Sequence, residues 1–111
     1  MAEVEGKYPG VTITYDSITS NLYYYDFFGN TLLYTESIKN GGTGAYGSIY
    51  APNKPSDTPK YSFGQFQGWA LEPESSIANT NAMKNVTADR RIYAAFIATI
   101  RTYTAYFYRY F

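Results

Sequence analysis

The acidic side chains are the residues of this sequence most able to do chemistry, because histidine and cysteine are both absent. Without them the chain lacks the commonest general base, the commonest metal ligand, thiolate nucleophiles and disulfides. Glu72 and Glu74 stand two residues apart, a spacing that allows paired carboxylates on one face, as in a glycosidase. They flank Pro73 in a polar segment, where charged side chains are usually solvated. A small hydrolase therefore requires Glu72, Glu74 and Asp89 to converge in one cleft.

The patterns that signal metal, cofactor or nucleotide chemistry are missing from the sequence. The aspartates are scattered and lack the spacing of a calcium loop, and neither a Walker motif nor a dinucleotide fingerprint occurs. The glycine-rich stretch at residues 41–44 lacks the lysine and the following helix of a phosphate cradle, so we interpret it as a turn. We expect no metal, no cofactor and no catalytic residue, and we predict that the protein is not an enzyme.

Aromatic residues make up 20% of the chain, with 14 tyrosines and 7 phenylalanines among 111 residues. A core of this size cannot bury so many rings, so some should be exposed. Tyr23 and Tyr25 lie at period two, and Tyr106 and Tyr108 repeat that spacing. Exposed tyrosines are typical of interfaces. These four residues are therefore candidates for an interface with a neighbouring repeat or subunit, or alternatively for a ligand platform.

Two roles are open for Trp69, the single tryptophan. Its ring could stack on the apolar face of a sugar, together with nearby tyrosines, which makes it the candidate ligand platform. It could also be a core residue, because it follows Gly68, where the missing side chain allows a large ring to pack on a neighbouring strand.

The charge balance narrows the range of partners. Nine basic and nine acidic residues cancel, so the chain has no electrostatic footprint for nucleic acid or for an anionic membrane surface. No apolar run approaches the roughly 20 residues needed to cross a bilayer. We expect neither nucleic-acid binding nor membrane insertion.

Strand-forming residues outnumber helix formers, so the composition predicts a mostly β fold. Residues 22–28 and 31–38 are predicted to pair as a hairpin through a two-residue turn at Gly29-Asn30. The glycines at 64 and 68 predict a bulge or a close backbone approach. Residues 80–86 are the helix candidate. Counting the hairpin, five to seven strands are expected, the others lying at residues 11–15, 45–50 (weakly), 61–69, 91–100 and 103–111.

The order of these features resembles the Listeria–Bacteroides repeat family, known also from the internalin B-repeat. The likeness covers about residues 22–96 and departs from the family pattern in a long segment between Gly42 and Tyr61. It rests on a Gly-Gly turn at Gly41-Gly42 and a proline-containing loop at residues 51–60. An aromatic-x-Gly-Trp motif from Phe66 to Trp69 and a closing strand at residues 86–96 complete the likeness.

The resemblance implies a small β-grasp-like sheet with antiparallel hairpins and at most one short helix. Residues 1–10 would be a leader or linker and 11–100 the repeat module. Residues 106–111 match the aromatic pattern of 23–28, so 101–111 would be a terminal strand that begins a following repeat; similarity between two aromatic strands is the plainer alternative.

Family members are generally surface or spacer modules without catalytic activity. We therefore expect a structural or adhesive repeat module of a bacterial surface protein or a phage virion appendage, located at the cell surface, outside the cell or in the virion. Its partners would be neighbouring repeats or subunits of the same assembly, a cell-surface glycan or a host protein. A carbohydrate-binding module with an aromatic platform is the alternative function.

Overall fold

The computed structural model describes residues 18–101 and contains one four-stranded sheet and one short helix. The predicted strands at 11–15 and 103–111, together with Tyr106 and Tyr108, lie outside these residues. The elements in chain order are β1 (Thr19–Tyr25), β2 (Leu32–Lys39), α1 (Tyr46–Ile49), β3 (Tyr61–Ala70) and β4 (Arg90–Ile100).

The sheet has the strand order β2-β1-β4-β3. Its two central strands, β1 and β4, run parallel, and each has an antiparallel neighbour, β2 beside β1 and β3 beside β4. Two antiparallel pairs joined through parallel central strands form a β-grasp-like sheet. The expected mostly β fold with at most one short helix is confirmed.

The predicted hairpin is present, but its turn is longer than predicted. β1 ends at Tyr25 and β2 begins at Leu32, so Phe27 and Phe28 belong to the connection rather than to a strand. Asp26 organises this loop, because its Oδ1 accepts hydrogen bonds from the backbone N–H groups of Asn30 and Thr31 at 2.8 and 3.1 Å. The loop places the side chain of Phe27 in the core, where it is buried.

One face of the sheet carries the core. The side chains of a strand alternate between the two faces, and burial along β1 alternates accordingly, with Leu22 and Tyr24 buried and their neighbours in the strand half-buried. Ile92 lies opposite Tyr24 in the parallel pair. Ile92 shares its face with further buried residues, Ala94 and Phe96.

Irregularities in β3 occur where the glycines predicted them. The register with β4 shifts between Phe63 and Phe66 and again between Phe66 and Gly68. Gly68 has a φ of +122°, and a Cβ there would lie 2.9 Å from Ala78 Cβ. The segment that follows β3 therefore approaches this strand closely because position 68 has no side chain.

Residues 46–49 form α1, so the weak strand predicted at residues 45–50 is wrong. The backbone N–H groups of Ala45 and Tyr46 donate to the Glu36 carboxylate at 2.9 and 3.2 Å. A side chain at Gly47 would overlap Trp69 and Tyr24. These contacts hold the segment against the core face, outside the hydrogen-bonded ladder.

Residues 80–83 form turns and Val86 pairs with Gly42 in an isolated bridge, so the predicted helix at residues 80–86 is wrong. The guanidinium group of Arg90 donates to the carbonyl oxygens of Ala82, Lys84 and Asn85 at 2.9, 2.8 and 3.1 Å. In a helix, carbonyls of this kind accept from backbone N–H groups four residues further on. Arg90 occupies them instead, and Asn85, with a φ of +51°, leaves helical geometry.

Candidate contact surface

Trp69 lies in the core and is 4% exposed. Its ring contacts those of Tyr24 and Phe66 edge to face, with centroids 4.8 and 5.6 Å apart. Its indole N–H donates to the Gly47 carbonyl oxygen at 3.1 Å. Of the two roles open from sequence, the structure therefore favours the core residue, because the ring has no free face for a sugar.

A hydrogen-bond network beneath the surface joins α1 to the sheet. The hydroxyl of Tyr24 donates to Glu36 Oε1 at 2.6 Å and accepts from the Gly47 N–H at 3.1 Å. Burial raises the pKa of Tyr24 well above its ordinary value near 10, and the hydrogen bond to Glu36 raises it further. Glu36 also accepts from Ala45 and Tyr46, so one carboxylate of β2 holds the start of α1 in place.

Three tyrosine rings continue from β2 to the end of α1. Tyr34 stacks on Tyr46 with centroids 3.9 Å apart and planes 7° from parallel. Tyr46 in turn lies 4.9 Å from the ring of Tyr50. Tyr34 and Tyr50 are both exposed, Tyr50 to 57%. Because Tyr46 is anchored through Glu36, the row of rings is fixed to the sheet.

Exposed apolar side chains surround this row. Ile49, the last residue of α1, is 71% exposed, and Leu33 near the start of β2 is exposed and lines one cleft together with Tyr46 and Tyr50. Surface apolar residues are ordinary when single, but a contiguous group is typical of an interaction site. We call this group the β2–α1 surface; it consists of Leu33, Tyr34, Tyr46, Ile49 and Tyr50.

A cleft adjoins the β2–α1 surface. It has a volume of about 330 Å³, and its walls include Leu33, Tyr50, Pro52 and Asn53, with Trp69 among the lining residues. The neighbouring cleft of about 370 Å³ shares Leu33, Pro52 and Asn53 with the first. Apolar walls with few polar groups are typical of sites for small molecules.

Tyr23 and Tyr25, the predicted interface residues in β1, lie on the face opposite the core. Both are half-buried. The ring of Tyr25 stacks with that of Tyr93 at 5.7 Å, and the Arg91 guanidinium lies 6.0 Å from its centroid. The structure thus brings Tyr23 and Tyr25 onto one face as the spacing predicted, although side chains of β4 partly cover them.

The three carboxylates required for a hydrolase do not converge. The Glu74 carboxylate accepts from the Tyr61 hydroxyl at 2.9 Å and lies 3.7 Å from Lys60 Nζ. Asp89 accepts from the backbone N–H of Asn21 at 2.8 Å. Glu72 lines a third, separate depression in the loop after β3. Each of the three side chains therefore has its own, separate surroundings.

The part of the chain that the structure describes lacks two further features. It contains no group of three or more acidic side chains placed to hold a metal ion. None of its helices has the length and apolar character needed to span a membrane.

The residues of the β2–α1 surface were not identified from the sequence. The available signal was the uncharged run Leu32-Leu33-Tyr34-Thr35 in a predicted strand. Such a run indicates a buried strand as readily as an exposed edge. The strand order decides between the two, and that order depends on pairing between residues far apart in the chain.

Comparison with models of protein families matches no family, and comparisons with curated proteins and with solved structures also find no match. The resemblance to the Listeria–Bacteroides repeats stays a prediction.

Proposed function

We propose that this chain is a non-catalytic structural or adhesive module that acts through protein–protein contacts. The observation that carries the proposal is the β2–α1 surface, where exposed apolar and tyrosine side chains adjoin one another on a rigid support. Tyrosine provides a large contact area at low cost in conformational entropy, so it is enriched in such surfaces.

The separation of the carboxylates supports a role without catalysis. Glu74 and Asp89 both accept hydrogen bonds within the described fold. Paired acid and base groups need a common cleft at a fixed separation. The partners we propose are neighbouring repeats or subunits of the same assembly. The assignment to a bacterial surface protein or phage virion appendage rests on the family resemblance.

Sedimentation velocity of the full chain over a concentration series tests the proposal. We expect reversible association, because the exposed apolar surface becomes buried when molecules meet. Ile49→Ser should weaken this association. Ile77→Ser is the matched control, since Ile77 is 80% exposed but lies outside the β2–α1 surface. A chain that stays monomeric at every concentration, or two variants that behave alike, would contradict the proposal.

Carbohydrate binding is the second candidate, and the cleft beside Tyr50 is the observation that favours it. An exposed ring next to Asn53 could combine stacking with an amide hydrogen bond to a sugar hydroxyl. A screen of glycans and cell-wall polysaccharides with the wild-type chain and Tyr50→Ala separates the candidates. Glycan binding lost in Tyr50→Ala but kept in Ile49→Ser would favour carbohydrate; a screen without binding would favour protein contacts.

A further inference from the structure

We infer that β2 pairs with β2 of a second copy of this chain, antiparallel and centred on Thr35, which joins two four-stranded sheets into one of eight strands. This inference rests on the proposed function and names both the partner and the contact geometry. Three observations support it: the β2 edge has unpaired backbone groups whereas the β3 edge is protected, β2 has few charges, and α1 lies beside β2.

The backbone of β2 offers unpaired hydrogen-bonding groups along its outer side. Asn40 N–H donates to the Ile18 carbonyl oxygen at 2.9 Å. Bonded and non-bonded pairs alternate in an antiparallel ladder, so Tyr34, Glu36 and Ile38 bond to β1 while Thr35 and Ser37 point their N–H and C=O groups away. Within residues 18–101, β1 is the sole strand paired with β2. An extended backbone would satisfy both sets of groups at Thr35 and Ser37.

The opposite edge of the sheet is protected, which makes the open edge of β2 distinctive. Asp57 Oδ1 accepts from the Phe63 N–H at 2.9 Å, and Thr58 N–H donates to the Tyr61 carbonyl at the start of β3. The Gln67 side chain donates to the Gln65 carbonyl at 3.0 Å. Two register shifts further disrupt the strand. Bulges and local caps of this kind prevent edge-to-edge pairing.

The usual devices against pairing are missing from the centre of β2. Proline is absent from Leu32–Lys39, and the two charged residues are Glu36 and Lys39. The Glu36 carboxylate is bound by Tyr24 and α1 over the core face, and Lys39 is the terminal residue. At the centre of the edge, Thr35 and Ser37 are therefore uncharged and the one charged side chain, Glu36, is held over the core face, a condition that favours intermolecular pairing.

Self-pairing is favoured because one contact accounts for two exposed features. Antiparallel pairing of identical edges in a continuous sheet creates a two-fold axis perpendicular to it, so equivalent faces stay on the same side. The two copies of α1 then lie on one face, beside the joined edges. Ile49 and Tyr50 of both copies then lie on the same face of the combined sheet, where their exposed apolar side chains are available for contact.

Several registers use the outward groups of Thr35. Pairing Thr35 with Leu33 would centre the contact on the register shift at the start of β2, and charge distinguishes the registers that pair Thr35 with Ser37 or with itself. Pairing Thr35 with Ser37 places Glu36 opposite Glu36 of the second copy, and like charges directly opposite each other are destabilising. Pairing Thr35 with Thr35 places Tyr34 opposite Glu36 instead. The second register avoids the repulsion, so we assign Thr35 to the two-fold axis.

Disulfide cross-linking of Thr35→Cys tests the register. The chain has no other cysteine. Directly opposed residues in an antiparallel pair have Cα atoms about 4.5–5.5 Å apart, which a disulfide spans. We expect covalent dimer to form under mild oxidation much faster than in Ser62→Cys, the control on the exposed part of β3. Equal rates for the two variants would overturn the inference.

Thr35→Pro provides the second variant. It removes the outward N–H of Thr35 but no bond to β1, so the fold should persist, as checked by Trp69 fluorescence. We expect association about tenfold weaker, the loss of a net hydrogen-bond contribution at each of the two equivalent sites. The inference fails, and the proposed function stands, if the wild type associates but two results are found together. These are that Thr35→Pro associates as strongly as the wild type, and that Thr35→Cys cross-links no faster than Ser62→Cys. A strictly monomeric wild type would overturn both.

Discussion

Glu36 lies between Thr35 and Ser37 on β2, yet its carboxylate is held over the core face of the sheet. There it accepts from the Tyr24 hydroxyl and from two backbone N–H groups at the start of α1. A free glutamate in the middle of an edge strand would oppose pairing with another strand. Bound in this way, Glu36 stabilises the support of the β2–α1 surface and leaves the edge without a mobile charge.

Tyr24 should make stability fall at alkaline pH. The raised pKa of Tyr24 means that the unfolded chain loses this proton near pH 10 while the folded chain retains it. The unfolded state then binds fewer protons, so this contribution to stability is complete below about pH 10 and is lost as the pH rises further. Urea unfolding of the wild type and of Tyr24→Phe across this range measures the effect.

Tyr24→Phe should lower the free energy of unfolding by about 1–3 kcal/mol at neutral pH, because Glu36 and Gly47 each lose a hydrogen-bond partner. Its stability should also depend less steeply on pH above about 10 than that of the wild type. Tyr50→Phe, at an exposed position, is the control and should change neither quantity. Parallel alkaline profiles for Tyr24→Phe and the wild type would contradict the assigned cause of the shift.

Trp69 should behave as a core residue in denaturation experiments. Trp69→Ala removes a buried ring that packs on Tyr24 and Phe66, and is expected to cost about 3–5 kcal/mol of stability. Tyr50→Ala, an exposed aromatic, should cost less than about 0.5 kcal/mol. Native emission should be blue-shifted and resistant to quenching by iodide. Red-shifted, readily quenched emission would place the indole at the surface.

At the residue scale, the sequence predicted features that depend on a single residue type, such as glycine, better than features that depend on contacts between distant residues. Glycines 64 and 68 indicated irregularity in β3, and both register shifts occur there. The choice between core and platform for Trp69 stayed open, because it depends on α1, whose Gly47 carbonyl binds the indole. That contact joins residues 22 positions apart, beyond the reach of a local pattern.

Arg90 connects two elements, since it begins β4 and binds the turns that precede it. Its guanidinium reaches carbonyl oxygens at Ala82, Lys84 and Asn85, next to the buried residues Ala82 and Val86. Arg90→Lys should lower stability by about 2 kcal/mol, because an ammonium group cannot reproduce the planar fork of donors. Amide hydrogen exchange at Val86, whose N–H donates to Gly42, should accelerate.

Arg91 provides the neighbouring control. It is exposed and has a distant contact with the Tyr25 ring, at 6.0 Å. Arg91→Lys should leave exchange at Val86 unchanged. If both arginine variants accelerated exchange equally, the effect would come from the charge of β4 rather than from the carbonyl contacts of Arg90.

The elements show where local patterns are sufficient. Strand-forming residues predicted both strands of the hairpin, and β1 and β2 form there, although β1 begins and ends three residues earlier than predicted. Its turn was wrong because Asp26 caps a wider loop, and the helix at residues 80–86 was wrong because Arg90 binds its carbonyls. In both places a side chain forms hydrogen bonds with backbone N–H or C=O groups that the predicted secondary structure would have paired with other backbone groups.

At the scale of the whole molecule, the sheet formed within residues 18–101 has two unequal edges. β3 is disrupted by bulges and capped by Asp57 and Gln67, whereas β2 presents outward backbone groups beside exposed apolar side chains. If two copies pair through β2, the protected strand β3 forms the outer edge at both ends of the combined sheet. This asymmetry would limit assembly to a pair and prevent open-ended sheet growth.

Amide hydrogen exchange as a function of protein concentration tests the central claim most directly, because β2 contains its own control. Tyr34 and Glu36 bond to β1 and should be protected at every concentration. Thr35 and Ser37 point outward and should exchange quickly in dilute solution, then become protected as the chain associates. Rapid exchange of Thr35 and Ser37 at all concentrations would contradict the assignment of this edge as a contact surface.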